Sequence, residues 1–390
     1  MKLSMRQQIL PWSGLAVLAA LMLFMSMVNV PSQAAPAPTQ ARFATPLPSP
    51  TNNGGNAKWT VKQMSFVSHY PGGFDFVLDV SSSAGKIALA TVMWRHSTTV
   101  PSTMLGTLDE SGKFVAQWKP LADHNIPQWV GIDYWWVVTD GQGNQFETPH
   151  GYIEYADNTR KWKRLVSEDA VIHWEASLPA ELGTEVASAL KRQRPFYMKA
   201  WGKLLDYKPQ IIIYADADPW KEWQPTVDVN SVDGETDPHW GSTVQLYRTD
   251  APDPVQYLAD GVVLHEVEHL YQQTFGAFGS YRTAVWFYEG DATYLELYQP
   301  YDYLQAVKTL AAKGQLPTLA ELSKRADDRS PYDVGYAFWK YLEVNYGADT
   351  HRKVWEQIGK GQPIILALQK ATGQKFPDLE ANFRVWLGAS

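Results

Sequence analysis

Hydrophobic and polar residues change rhythm along the chain. Between Lys58 and Tyr155 short runs alternate apolar with polar positions: WTVKQMSF (59–66), FDFVLDVS (74–81), KIALATVMW (86–94), KFVAQW (113–118), DYWWVVTD (133–140) and NQFETP (144–149). A period of two places successive side chains on opposite faces of a strand. The runs are separated by Gly, Pro, Ser and Asp clusters, with Asp140-Gly141-Gln142-Gly143 a clear turn. They predict an all-β, immunoglobulin-like antiparallel sandwich over residues 58–157. After Asp157 helical periodicity takes over between short strands. AVIHW (170–174), QIIIY (210–214) and GSTVQLY (241–247) are expected strands. Helices are expected over 180–205, interrupted near Pro195, then over 254–275, 282–297, 303–313, 332–346 and 350–358, with one more after Pro377. A few strands followed by a run of helices predicts an α+β domain over residues 158–390. No repeat of solenoid period is present.

The N-terminal pattern belongs to neither domain. Lys2 and Arg6 precede the apolar run GLAVLAALMLFMSMVNV, and Ser32 and Ala34 supply small residues before Ala35. Residues 1–34 therefore read as a secretory signal, which predicts a secreted or extracytoplasmic protein. The alternative is a retained membrane anchor, since counting from Pro11 the apolar stretch reaches about 20 residues, enough to span a bilayer. Residues 35–57, rich in Pro, Ala, Asn and Gly, read as a linker.

Composition narrows the chemistry. The formal charge is −7, and removing residues 1–34 takes away Lys2 and Arg6 to leave −9, which counts against a nucleic-acid partner. The chain has no cysteine among its 390 residues. Disulfides, thiolate zinc sites, iron–sulfur clusters and a cysteine nucleophile are all excluded, and any metal must sit on histidine and carboxylate.

Such a set occurs at Gly261-Val-Val-Leu-His265-Glu266-Val267-Glu268-His269-Leu270. On a helix, positions i and i+4 share a face, so the His265 and His269 imidazoles can converge on one tetrahedral metal. Glu266 lies beside them, where a carboxylate can reach an activated water without being a ligand. Twenty positions after His269, the segment Ala284-Val-Trp286-Phe-Tyr288-Glu289-Gly290-Asp291-Ala292 brings a carboxylate on the next expected helix. Two histidines and one glutamate leave the fourth position of a catalytic zinc open.

With these residues in view, the chain resembles the gluzincin metallopeptidases, and "LHEVEHL … AVWFYEGDATYLE" is close to the peptidase MA-like family. YWWVVTDGQGN, ADNTRKWKRL, QIIIYAD and SPYDVGYAFWKYLEVNYGAD resemble exported bacterial members of that family with an N-terminal sandwich. The resemblance covers most of residues 60–350, with only the two metal motifs specific. It implies a zincin-like (gluzincin) catalytic domain, one Zn2+ held by His265, His269 and Glu289, and Glu266 as general base toward a zinc-activated water. It also implies a peptide or protein substrate. Gluzincins need an oxyanion donor further along the chain, and Tyr332 and Tyr336 occupy the corresponding region. The sequence departs from thermolysin-type members four residues after Glu289, where Thr293 replaces an aspartate that orients a zinc-bound histidine. Asp291 has the wrong helical offset to substitute. Gly241 to Tyr247, just before the zinc helix, is a candidate edge strand for an extended substrate. Rival readings are a zinc-binding protein without activity, whose sandwich attaches to a cell wall or partner, and a zinc amidase acting on cell-wall peptides.

Three other signals carry less. Asp228 to Gly234 resembles a calcium loop, but Val232 and His239 stand where ligands are needed. The 17 tryptophans invite a sugar-binding reading, yet Trp59, Trp94, Trp118, Trp135 and Trp136 fit the core and rim of the sandwich. Arg160-Lys161-Trp162-Lys163-Arg164 reads as a solvated domain junction.

Overall fold

The computed structural model describes residues 56–96, 101–121, 125–224, 233–237, 240–275, 284–323 and 328–388. The expected export signal, all but the end of the linker and most of the calcium-like loop lie outside the described residues. No helix among the described residues is long and apolar enough to cross a membrane.

The N-terminal half is β-rich, as the alternation requires. Its strands are β1 (Trp59–Ser68), β2 (Phe74–Ser82), β3 (Ile87–His96), β4 (Ser102–Leu105), β5 (Thr107–Leu108), β6 (Phe114–Trp118), β7 (Gly131–Asp140), β8 (Gln145–Glu147) and β9 (Gly151–Glu154). They form two antiparallel sheets, β1-β2-β6-β5 and β4-β3-β7-β8, with β9 also pairing β7. Along β2 every second residue is buried. These inward residues meet the opposite sheet, with the Phe76 ring 4.9 Å from Tyr134 and Phe74 5.3 Å from Trp94. Trp136 is fully enclosed and Trp118 stacks on Phe74, so these tryptophans fill the space between sheets. The sequence pattern did not show β4 and β5, because they are short and largely exposed and have no buried face to alternate with.

Beyond Asp157 a mixed sheet forms from β10 (Trp162–Val166), β11 (Val171–Glu175), β12 (Gln210–Tyr214), β13 (Gly234–Asp237) and β14 (Ser242–Leu246), in the order β10-β11-β12-β14-β13. The inner three strands run parallel and the outer two antiparallel to their neighbours. Every residue of β12 is buried because the sheet is covered on both faces. Ile211 and Ile213 pack into the helical core with Leu182, Val186 and Val267. Ile212 and Tyr214 join the sandwich core with Val244, Leu246, Trp220 and Val130. The sheet is thus a partition, and a stacked Trp129–His173 pair at 4.7 Å and an Asn125 N–H donated to the Trp223 carbonyl tie the sandwich to it.

Three expectations change here. The basic stretch around Trp162 is an edge strand rather than a solvated junction, and Arg160 pairs with Glu222. The strand before the helix that carries His265 and His269, β14, is internal, so the edge falls to β13. Helix α1 (Leu182–Trp201) runs through Pro195 without interruption. Pro195 is exposed, so the carbonyl it deprives of a partner lies on the solvent side, while buried Leu190, Gln193 and Tyr197 hold the inner face.

The other helices are α2 (Asp218–Trp223), α3 (Pro254–Gln256), α4 (Val263–Phe275), α5 (Val285–Tyr294), α6 (Tyr303–Ala312), α7 (Leu319–Leu322), α8 (Ser330–Tyr346), α9 (Thr350–Gly359), α10 (Ile364–Thr372) and α11 (Phe376–Trp386). A π-helical turn, Tyr257–Val262, joins α3 to α4. The Asp260 carbonyl there receives the Leu297 and Tyr298 N–H groups. This ties the entry of α4 to the chain just after α5.

Helices α5 and α8 cross at bare backbone. A Cβ on Gly335 would lie 2.0 Å from the Trp286 carbonyl oxygen, and one on Gly290 would lie 2.3 Å from the Gly335 Cα. The Trp339 indole donates to the Phe287 carbonyl at 3.0 Å beside the crossing. Gly335→Ala is expected to force the helices apart and to destabilise the protein by about 1–3 kcal/mol. It should also weaken metal retention, because Glu289 adjoins the contact. Denaturant unfolding and metal content measured on the same preparation check both effects.

Candidate metal centre

Helix α4 carries His265 and His269 on one face because residues four apart stack one above the other. Helix α5 lies across that face and lowers Glu289 onto it. The Glu289 Oε2 is 3.1 Å from His265 Nε2 and 3.4 Å from His269 Nε2. Potential ligand atoms of all three lie within 4.8 Å of one another, and all three residues are buried. The structure therefore brings His265, His269 and Glu289 together.

The outer nitrogen of each imidazole is also engaged. His265 Nδ1 lies 2.9 Å from Glu296 Oε1, and Glu296 Oε2 accepts from the Tyr303 hydroxyl at 3.1 Å. His269 Nδ1 lies 2.9 Å from Gln272 Oε1, whose amide nitrogen donates to the Tyr288 carbonyl and to Asp291. With Nδ1–H donated outward, each Nε2 presents its lone pair to the centre, the arrangement that metal-binding histidines use. Two neutral imidazoles and one carboxylate, with no sulfur, form a donor set suited to zinc.

Charge in the metal-free site follows from this crowding. Burial opposes protonation of His265, but the Glu289 and Glu296 carboxylates outweigh it and push the imidazole up to about 10. His269 is raised the same way, with Glu289 overcoming burial. Glu289 is held below the usual carboxylate range, since His269 and His265 overcome the opposing effect of its burial. A metal must displace these protons.

Glu266 is buried 3% exposed beside the histidines, and burial pushes its carboxyl above the usual range. The Thr236 hydroxyl on β13 lies 2.7 Å from Glu266 Oε2 and 2.9 Å from the Glu266 carbonyl oxygen; having one proton, it donates to one of them at a time. Gly234 covers the same carboxylate so closely that a Cβ there would come within 2.6 Å of Glu266 Oε1. Tyr332, in the first turn of α8, is buried with its ring 5.9 Å from the His265 ring and its hydroxyl beside the Glu289 carboxylate. Burial first and the Glu289 carboxylate second keep that phenol protonated. Tyr336 is one turn further on, and its ring packs against Tyr303 and Tyr294, so the structure does not bring it to the histidines.

Sequence reasoning missed Glu296, Gln272, Thr236 and Gly234. Gln272 follows His269 by three, a spacing that shares a helix face and could have been read. Glu296 lies beyond the end of α5, and Thr236 reaches Glu266 only through the pairing of β13 with β14, so neither had a local signal.

Glu296→Gln is expected to lower zinc affinity about 10- to 100-fold, read by competition with a chelating dye. Because zinc displaces protons from imidazoles raised by their carboxylate neighbours, uptake should release protons and strengthen as pH rises toward the folded-state values. Calorimetry in buffers of different ionisation enthalpy measures that release.

No family model matches the chain, and no curated protein does. Among solved structures, native yeast LTA4 hydrolase matches with a TM-score of 0.40 and 10% identity, covering 80% of this chain and 63% of that one. Native leukotriene A4 hydrolase from Saccharomyces cerevisiae matches with a TM-score of 0.39 and 11% identity over 84% of this chain and 68% of that one. The polysaccharide deacetylase BA0330 from Bacillus anthracis matches with a TM-score of 0.20, 7% identity and 46% coverage of this chain. The chain thus spans about two thirds of the length of the yeast enzymes, and what its site can do follows from its own residues.

Proposed function

We propose that the protein is an exported, zinc-dependent peptidase of the gluzincin type. The observation that carries this reading is the convergence of His265, His269 and Glu289, each imidazole tethered at its outer nitrogen, beside the buried and hydrogen-bonded Glu266. A zinc ion bound there supplies a Lewis acid that lowers the pKa of water and polarises a carbonyl.

The rest of the chemistry belongs to the chain. Glu266, buried beside the histidines, takes a proton from the attacking water and gives it to the departing amine nitrogen. Thr236 and Gly234 fix the carboxylate from one side, which limits the rotamers it can adopt. The Tyr332 hydroxyl, kept protonated by burial beside the Glu289 carboxylate, donates to the oxyanion that forms when the amide carbonyl is attacked. Strand β13 pairs on one side with β14, and its other edge pairs with no strand among the described residues. An extended peptide adds to that edge, which places its backbone beside Glu266.

Glu266→Gln is expected to keep stoichiometric zinc and to lose about 100- to 10,000-fold in peptide hydrolysis, assayed with a mixed peptide library. Zinc-loaded wild-type protein that cleaves nothing in that library or in isolated wall material would favour a binding role, and cleavage confined to wall material an amidase. Gly234→Ala should leave zinc in place and reduce kcat about 100-fold by displacing the base, with KM little changed. An unaltered kcat would show that the contact between β13 and Glu266 does not position the carboxylate.

A further inference from the structure

Behind the His265–His269 face, α4, α5 and α9 enclose a second group of ionisable side chains. Glu268, Asp291 and His351 each offer a potential ligand atom, and the three atoms lie within 4.8 Å of one another. Glu268 and Asp291 have no accessible surface, and His351 retains 9%. None of the three is a ligand of the centre described above.

The surroundings tie down the outward atoms of the set. Asp291 Oδ2 accepts from the Trp355 indole at 3.0 Å and from the Gln272 amide at 3.2 Å. Glu268 Oε2 accepts from the Trp201 indole at 3.2 Å. His351 Nδ1 lies 3.3 Å from the Ala200 carbonyl, a contact that requires the proton on Nδ1. Nε2 faces Asp291 Oδ1 at 2.7 Å, a separation that requires a proton or a cation between the two atoms. Glu268 Oε1 is completely buried and meets no N–H donor; its carboxyl faces Asp291, and a shared proton or a cation can bridge the two. Two buried carboxyl groups and an imidazole in contact with one another need either shared protons or a cation among them.

We propose that Glu268, Asp291 and His351 form a second, buried divalent-cation site. Once an ion displaces the protons they share, two carboxylates and a neutral imidazole carry two negative charges, which one divalent ion balances. Oxygen and nitrogen donors with outer atoms already held by Trp201, Trp355, Gln272 and Ala200 suit an ion of the zinc or manganese type. The site is structural. Its ligands come from three helices, and Glu268 and Asp291 are close in sequence to His269 and Glu289, so the ion fixes the spacing of α4 and α5 on which the catalytic centre depends. Gln272 touches both sites, accepting from His269 and donating to Asp291.

Metal content of the full chain, equilibrated with buffered zinc and separately with manganese and then freed of excess, tests this directly. The expected result is two equivalents of metal per wild-type chain, falling to one in Glu268→Gln, which has nearly the same shape. One equivalent or fewer in the wild type with both metals overturns the proposal, as does a Glu268→Gln protein that still holds two. A His265→Ala/His269→Ala double variant gives an independent reading that does not depend on Glu268→Gln folding. One equivalent retained there supports the buried site, and none overturns it. Peptide cleavage does not enter these readouts, so they stand apart from the peptidase reading.

Discussion

Glu289 reaches the histidines only because α5 and α8 meet without side chains between them. Gly290 follows Glu289 directly, and Gly335 follows Tyr332 by three positions, so one contact sets the height of the carboxylate over α4 and the approach of the tyrosine to it. A Cβ at either glycine would sit 2.0–2.3 Å from the opposite backbone, far inside van der Waals contact. The large aromatic residues around the crossing, Trp286, Phe287, Phe338 and Trp339, hold it closed through edge-to-face and tilted contacts. Close helix packing, more than any single hydrogen bond, therefore determines whether three ligands on two helices can share an ion.

Around that packing lies a set of polar tethers that extends beyond the ligands. Glu296 binds His265 from beyond the end of α5, and Gln272 binds His269 from the same helix. Asp291 in turn holds Gln272 and is itself held by His351 and Trp355 on α9. Thr236 reaches in from the sheet to Glu266. In a dry interior each of these bonds is strengthened, and an unmet partner would be costly, so the orientation of His265, His269 and Glu266 is fixed by the fold itself. The mixed sheet contributes in a different way. By packing helices on one face and the sandwich on the other, it keeps β13 at the edge next to Glu266.

Much of this was legible in the sequence, for local reasons. The four-residue spacing of His265 and His269 places them on one face of any helix, and the three consecutive isoleucines of QIIIY announced a buried strand. Alternation located the long sandwich strands. What stayed hidden had no local signature. Strands β4 and β5 bury no face, and Pro195 was tolerated because its exposure could not be seen. The edge position passed from β14 to β13 through a pairing between segments whose sequence is mostly polar. Glu296 reaches His265 through tertiary packing past a helix end, and Tyr336 resembled Tyr332 in sequence although it packs on Tyr303 and Tyr294.

The central claim is that His265, His269 and Glu289 hold one zinc ion next to Glu266. Anomalous diffraction at the zinc edge, from crystals of the protein equilibrated with zinc, tests it most directly. The account predicts a peak bounded by His265 Nε2, His269 Nε2 and a Glu289 oxygen, at roughly 2.0–2.2 Å from each, with an open position facing Glu266. A zinc-equilibrated crystal with no peak among those three atoms, or with Glu266 itself as a ligand, would contradict it.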